Sequence, residues 1–310
     1  ARFSPAILRL LANVNAPTER ARFSPVAGAA AFPTIGREPS SGRPCLFVWG
    51  DSHAYAISHV LDSLARELGV TGEIAIRNGT PPLPDVWKPN ATFNRTASKR
   101  LAEEWAGQAV GRIRTCRPRH VVLCARWSCY LRGRSSVLED MTIAPLDATE
   151  TSADGALAAM EVGLRRMQQV CAETDAELWV LLEVPDQSSA GQLGIQERAL
   201  AWHWTGRPPS LTGVSRMEHQ AQQRAVRSVL DCTGREGMHL VDLAEPFFGD
   251  DGLSRVGQGE SLWYGDTNHV TAAGASEVLA PVLREMLMRI EATCAVPEPI
   301  MLDEPAAPPP

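Results

Sequence analysis

The chain has 310 residues, 44% hydrophobic and 21% charged, with 30 Lys and Arg against 36 Asp and Glu for a net charge of -6. That apolar content suits a globular protein with a sizeable core, and the acidic balance argues against a general nucleic-acid binder, which carries a basic stripe. No apolar run approaches the roughly 20 residues that span a bilayer; the most apolar stretch, Leu178-Trp179-Val180-Leu181-Leu182, has the length of a strand.

Residues 1 to 44 are rich in Pro, Ala, Arg and Ser and read as an extended arm or linker, with one short helix near Ile7 to Ala12. Ala1-Arg2-Phe3-Ser4-Pro5 recurs as Ala21-Arg22-Phe23-Ser24-Pro25, but two copies of five residues are too few for a structural repeat. The start lacks the apolar h-region of a signal peptide. Its first residue, Ala1, fits a mature form or an excised piece.

Residues 45 to 296 alternate between two periodicities. Cys45 to Trp49 is a short apolar strand, and Tyr55 to Leu68 places Ile57, Val60, Leu61, Leu64 and Leu68 on one helical face. Strands are then predicted at Glu73 to Arg77, Val121 to Ala125, Glu177 to Val184 and His239 to Leu243. Helices are predicted at Thr96 to Cys116, Asp154 to Glu173, Ser215 to Cys232 and Thr271 to Glu291. Five apolar strands alternating with helices indicate an α/β domain, a parallel sheet covered on both faces. Residues 297 to 310, ending Ala306-Ala307-Pro308-Pro309-Pro310, have the composition of a disordered tail.

Arg112, Arg114, Arg117 and Arg119 read as a solvated helix end rather than a binding patch. The seven cysteines include no C-x-x-C pair, so no zinc signature is present and no metal is expected. The odd count leaves at least one thiol unpaired within the chain, and no disulfide can be assigned. Cys45 and Cys124 lie in strand-like runs, where a buried inert thiol is the default. No Gly-x-Gly-x-x-Gly follows the first strand, which argues against a dinucleotide site.

Two short segments carry chemistry. Ser52 follows Gly50 and Asp51, where the first strand stops and a helical pattern starts, and glycine allows the sharp turn there. A serine at that junction exposes its hydroxyl and offers its own N–H to an oxyanion; it is also an ordinary N-cap position. Asp266 and His269 stand three residues apart in the long segment after the fifth strand. Ligands of open parallel sheets bind beyond the carboxyl ends of the strands, so both segments are expected at one edge. There they would supply nucleophile, base and orienting carboxylate. His53 reads as a structural helix-start residue and Asp51 as a turn-ordering one. Trp202, His203 and Trp204 fall in the long segment after the fourth strand, where they either stack on sugar or pack a loop.

Gly50-Asp51-Ser52-His53 and Asp266-Thr267-Asn268-His269 resemble the first and last blocks of the SGNH (GDSL-like) hydrolase superfamily. The similarity is closer still to the SGNH domain fused to OafA/OafB-type membrane acyltransferases, which decorate bacterial surface polysaccharides. It is carried by Trp49 to Ala54, Pro81-Pro82-Leu83, Ala125-Arg126-Trp127, Tyr264 to His269 and Ala273-Gly274-Ala275, in that order over about residues 45 to 290. The resemblance implies a three-layer α/β/α, flavodoxin-like five-stranded parallel sheet. It implies Ser52 as nucleophile, His269 as base and Asp266 as its partner. It further implies an oxyanion hole from the N–H groups of Ser52 and of a glycine after the second strand, for which Gly79 is the candidate. Many relatives add an asparagine after the third strand, where this chain has Arg126 and Trp127. Arg126 then faces the site as a donor or forms a surface ion pair, and Asn78 is a further candidate donor.

The implied activity is O-acyl, in particular acetyl, transfer to a polysaccharide through an acyl-enzyme, with no cofactor. The implied setting is periplasmic or extracytoplasmic, tethered through an upstream membrane acyltransferase domain. A free-standing carbohydrate O-acetylesterase and a non-catalytic glycan-binding module are the alternatives.

Overall fold

The computed structural model describes residues 3–5, 7–8, 23, 32–38, 43–90, 95–132, 140–190, 195–208, 210–234 and 237–294. The principal elements in chain order are β1 (Thr34–Gly36), β2 (Leu46–Gly50), α1 (Ser52–Leu68), β3 (Thr71–Ile76), α2 (Arg95–Cys116), β4 (His120–Cys124), α3 (Trp127–Arg132), α4 (Ala153–Thr174), β5 (Glu177–Leu182), α5 (Ile195–Thr205), α6 (Arg216–Thr233), β6 (Met238–Asp242) and α7 (Ala280–Cys294). Among the described residues, no helix is long and apolar enough to cross a membrane.

The sheet runs β1-β3-β2-β4-β5-β6, and the last five of these strands are parallel neighbours. β2 and β4 are buried along their whole length, as expected of strands covered on both faces. Successive residues point to opposite faces. Val48, Ile74, Val122, Trp179 and Leu181 join α1 and α7 in one core, while Phe47, Trp49, Ala75, Val121, Leu123 and Val180 join α2, α4 and α6 in the other. The chain is thus a mostly parallel α/β sandwich of three layers, and its strand order reverses between β3-β2 and β4. That reversal is where open sheets of this kind hold their ligands.

Several expectations need correction. Among the described residues the sheet has six strands rather than five, because β1 pairs antiparallel with β3 through Thr34↔Glu73, Ile35↔Gly72 and Gly36↔Thr71. β1 lies inside the segment read as an arm, so the boundary at 44/45 does not coincide with the edge of the sheet. Three residues are too few to show a period of two, yet Ile35 is fully buried and the Gly36 N–H donates to Asp62 at 2.9 Å. Phe23 is also buried in the first core, and Ile7 packs with Ala199 and Leu262. Most of the remaining arm and the tail 297–310 lie outside the described residues.

Trp202, His203 and Trp204 sit on a helix, α5, not in a loop. Trp202 packs against the Ile7 cluster while Trp204 is 76% exposed. The arginine cluster is partly neutralised: Arg112 pairs with Glu73, Arg114 with Glu173, and Arg119 donates to the Thr293 carbonyl.

Candidate active site

β2 reaches its end at Gly50, where a Cβ would lie 2.3 Å from both the Cys124 carbonyl oxygen and the Ala54 Cβ. Only glycine lets α1 start this close to the neighbouring strand. Asp51 then caps α1, its Oδ1 accepting the His53 N–H at 2.8 Å. Its Oδ2 accepts the Arg126 N–H at 3.0 Å and the Tyr130 hydroxyl at 2.8 Å. Asp51 is buried, and its carboxyl oxygens join the turn after β2 to the turn after β4. Ser52 is the first residue of the helix, and its N–H is among the first-turn donors that a helix does not use itself.

His269 Nε2 lies 2.7 Å from Ser52 Oγ, and His269 Nδ1 lies 2.7 Å from Asp266 Oδ2. Asp266 Oδ1 accepts the N–H groups of Asn268 and His269 at 2.8 and 2.7 Å. Loss of water around Asp266 opposes its ionisation, but the hydrogen bond and charge of His269 and those two N–H donors outweigh this. They hold the carboxyl well below the usual range. An ionised Asp266 can only accept, so Nδ1 carries the proton and Nε2 is left to accept from the Ser52 hydroxyl. The side chains of His269 and Asp266 are 35% and 53% exposed, so the site opens to solvent.

The Asp266–His269 segment belongs to no strand or helix. An antiparallel bridge between Tyr264 and Val270 closes its base, and the Gly265 N–H donates to the His269 carbonyl at 2.9 Å. The turn beyond it, Ala272–Gly274, is capped by Thr271 and lies so close to Trp263 that a Cβ on Gly274 would be 2.2 Å from the Trp263 carbonyl oxygen. Two contacts pin the segment from the sheet side. The Gln187 N–H donates to the Thr267 carbonyl at 2.7 Å, and His53 Nε2 meets Asn268 Oδ1 at 3.2 Å. Burial, with the nearby charge of His269, pushes His53 down to about 4. His53 is therefore neutral near pH 7 and donates to Asn268.

Arg126 is not a surface residue. It is buried, and its Nη2 lies 2.5 Å from Asp186 Oδ2. Asp186 Oδ1 accepts from the N–H and hydroxyl of Ser188 at 2.9 and 2.6 Å. Burial works against the Asp186 charge, and Arg126 together with the two Ser188 hydrogen bonds more than offsets it. The pair fixes the turn after β5, from which Gln187 reaches the Asp266–His269 segment. Neighbouring Glu183 is fully buried and pushed up by that burial, against hydrogen bonds from Ser128 and Gln223.

The candidate oxyanion residues lie at the same edge. The Arg77 N–H donates to the Gly50 carbonyl at 3.0 Å, and the turn from Arg77 to Thr80 carries Asn78 and Gly79 directly beyond it. Gly79 has φ +62, and its carbonyl accepts from Lys88 Nζ at 2.5 Å. Asn78 is exposed. The structure thus brings Ser52, His269 and Asp266 into hydrogen-bonding contact, sets Gly79 and Asn78 in the adjoining turn, and engages the Arg126 side chain with Asp186. Asn268, Asp186, Gln187 and Tyr130 were missed as supports. Only Asn268, inside the Asp-Thr-Asn-His block, had a sequence signal. Among the described residues, no group of three or more His, Cys, Asp or Glu is arranged to hold a metal ion.

Residues 19–284 match the family model described as an SGNH domain fused to AT3 domains. Among solved structures, the chain is similar to the periplasmic domain of the lipopolysaccharide acetyltransferase of Salmonella ser. Paratyphi A. The TM-score is 0.53 and the identity 13%, over 80% of this chain and 85% of that one. A GDSL-like lipase from Bacteroides thetaiotaomicron VPI-5482 aligns with a TM-score of 0.42 and 9% identity, over 79% of this chain and 87% of that one. A comparison with curated proteins finds no match.

Proposed function

The chain belongs to the family of SGNH domains fused to AT3 domains, and from that premise we propose that it catalyses serine-dependent O-acyl transfer, acetyl in particular, to a bacterial surface polysaccharide. The observation that carries this reading is the unbroken hydrogen-bond chain from Ser52 through His269 to Asp266. Ser52 Oγ attacks the acyl carbonyl of an activated ester while its proton passes to His269 Nε2. Asp266 stabilises the resulting imidazolium and keeps its tautomer. The N–H groups of Ser52 and Gly79, with Asn78 beside them, face the developing oxyanion; Arg126 enters as a support of the loop, held by Asp186. Collapse of the tetrahedral intermediate expels the donor alcohol, which takes the proton from Nε2. A sugar hydroxyl then gives its proton to Nε2 and attacks the acyl-serine; as that second tetrahedral intermediate collapses, Nε2 returns the proton to Ser52 Oγ, which leaves as the free alcohol. This chemistry calls for no metal or organic cofactor.

The setting proposed with it is extracytoplasmic, alongside a membrane acyltransferase domain. The second reading, a free-standing carbohydrate O-acetylesterase, is favoured by one observation. His269 and Asp266 open to solvent, so water can take the acceptor's place.

Labelling with a fluorophosphonate tests the shared step. One adduct on Ser52, lost in Ser52→Ala, is expected. A well-folded protein that takes up no label at Ser52 would overturn both enzymatic readings and leave a glycan-binding module. Incubating the labelling-competent protein with an acetyl ester and an oligosaccharide then separates the two reactions: acetylated oligosaccharide supports transfer, and acetate alone supports the esterase.

A further inference from the structure

The edge of the sheet opposite the Ser52 site brings together two cysteines from the far ends of the fold. Cys45 immediately precedes β2, and Cys294 is the last residue of α7. The Cys45 N–H donates to the Thr71 carbonyl at 3.0 Å, and its carbonyl accepts the His120 N–H at 2.9 Å. His120 Nε2 lies 2.7 Å from the Thr293 hydroxyl, and the Thr293 carbonyl accepts from Arg119 Nη1 at 3.2 Å. Backbone and side-chain bonds through His120 therefore hold the two residues at one corner. There the two thiols are near enough that each is the largest influence on the other's ionisation. Both cysteines are partly exposed and both pack against the core shared by α1 and α7.

We propose that Cys45 and Cys294 are a disulfide pair that joins the start of the first parallel strand to the end of the last helix when the domain meets a disulfide oxidant. The Cys45 thiolate attacks one sulfur of the oxidant and expels a thiolate. Cys294 then gives up its proton, attacks the Cys45 sulfur of the mixed disulfide and expels the second thiolate. The two protein thiols lose two protons and two electrons, and the oxidant becomes two thiols. The neighbouring Cys294 thiol draws the Cys45 thiol down to about 6, against its partial burial and with help from Arg119. That supplies the thiolate the exchange needs. By contrast, burial pushes Cys116 and Cys129 up to about 11 and Cys171 up to about 12. An oxidising extracytoplasmic setting would provide the oxidant, but the pairing itself is independent of the Ser52 chemistry.

The test is disulfide mapping of the folded wild-type chain after exposure to glutathione disulfide, with alkylation of free thiols in denaturant. The result expected is one linked peptide joining Cys45 to Cys294, alkylation of the other five of the seven cysteines, and a melting temperature raised by roughly 5–10 °C over the reduced protein. Cys232→Ser should leave the link in place, and Cys45→Ser or Cys294→Ser should abolish it. All seven thiols alkylated, or a link between any other two cysteines, would overturn the pairing. Mapping the wild-type chain keeps the result decisive even where a serine variant fails to fold. Fluorophosphonate labelling of the same sample reads the Ser52 site separately.

Discussion

Ser52 and His269 meet at 2.7 Å from supports of opposite kinds. Ser52 rides the first turn of a 17-residue helix that leaves a buried strand through Gly50 and is capped by Asp51. Asp266 and His269 lie in a segment without regular structure, held by the Tyr264–Val270 bridge and by single hydrogen bonds from Gln187 and His53. The proposed nucleophile is placed by packing, so disturbing it should cost stability first. The proposed base is placed by a few polar contacts, so disturbing it should cost activity first.

The sharpest challenge to that contrast is Asp266→Asn. The asparagine oxygen can still accept both backbone N–H groups, but its amide nitrogen cannot accept from His269 Nδ1. A fall in kcat of about 10³–10⁴ is expected, with the urea midpoint unchanged. Activity within tenfold of wild type would mean that the loop needs no fixed tautomer. Arg126→Ala should do the reverse, because it strands the buried Asp186 carboxylate. We expect a loss of about 3–5 kcal/mol in urea unfolding; a loss below 1 kcal/mol would show that water replaces the guanidinium.

Acid unfolding sets the site edge of the sheet, which holds His53, against the opposite edge, which holds His120. His53 and His120 are both pushed down to about 4 by burial, while an unfolded histidine takes up its proton near 6.5. From pH 6.5 down to 4 the unfolded state binds more protons, so stability falls with pH by about 3 kcal/mol for each residue. His53→Gln should remove roughly half of that slope in urea titrations. A slope equal to wild type would mean His53 charges within the fold. The smallest effect is expected from Asn268→Ala, which removes the acceptor of His53. It should lower kcat by about tenfold and leave the melting temperature within a few degrees; a collapse of folding would put the loop's stability, not its aim, under this contact.

The sequence disclosed what depends on periodicity and on short blocks. The five parallel strands, the long helices α1, α2, α4 and α6 between them, and Ser52, Asp266 and His269 as candidates could be read because each lies in a local pattern; the shorter α3 and α5 could not. β1 could not, since its three residues owe their place to β3 and Asp62. Arg126 could be marked as a departure from relatives, but not as the partner of Asp186, 60 residues away. Trp202 to Trp204 looked like loop because the apolar partners of their helix come from Ile7 and Leu262. What stayed hidden is tertiary: pairs whose members carry no shared signal along the chain.

The bond between Ser52 and His269 spans 217 residues, and that separation has a meaning in time. At about 5–20 residues per second, synthesis needs about 10 to 40 s to travel from one to the other. Throughout that interval Ser52 lacks the imidazole that the proposed mechanism assigns as its base. On that mechanism, a chain stalled anywhere between them would be as inert toward esters as free serine. The proposed reactivity would then arise only once the last strand and the loop beyond it have been added.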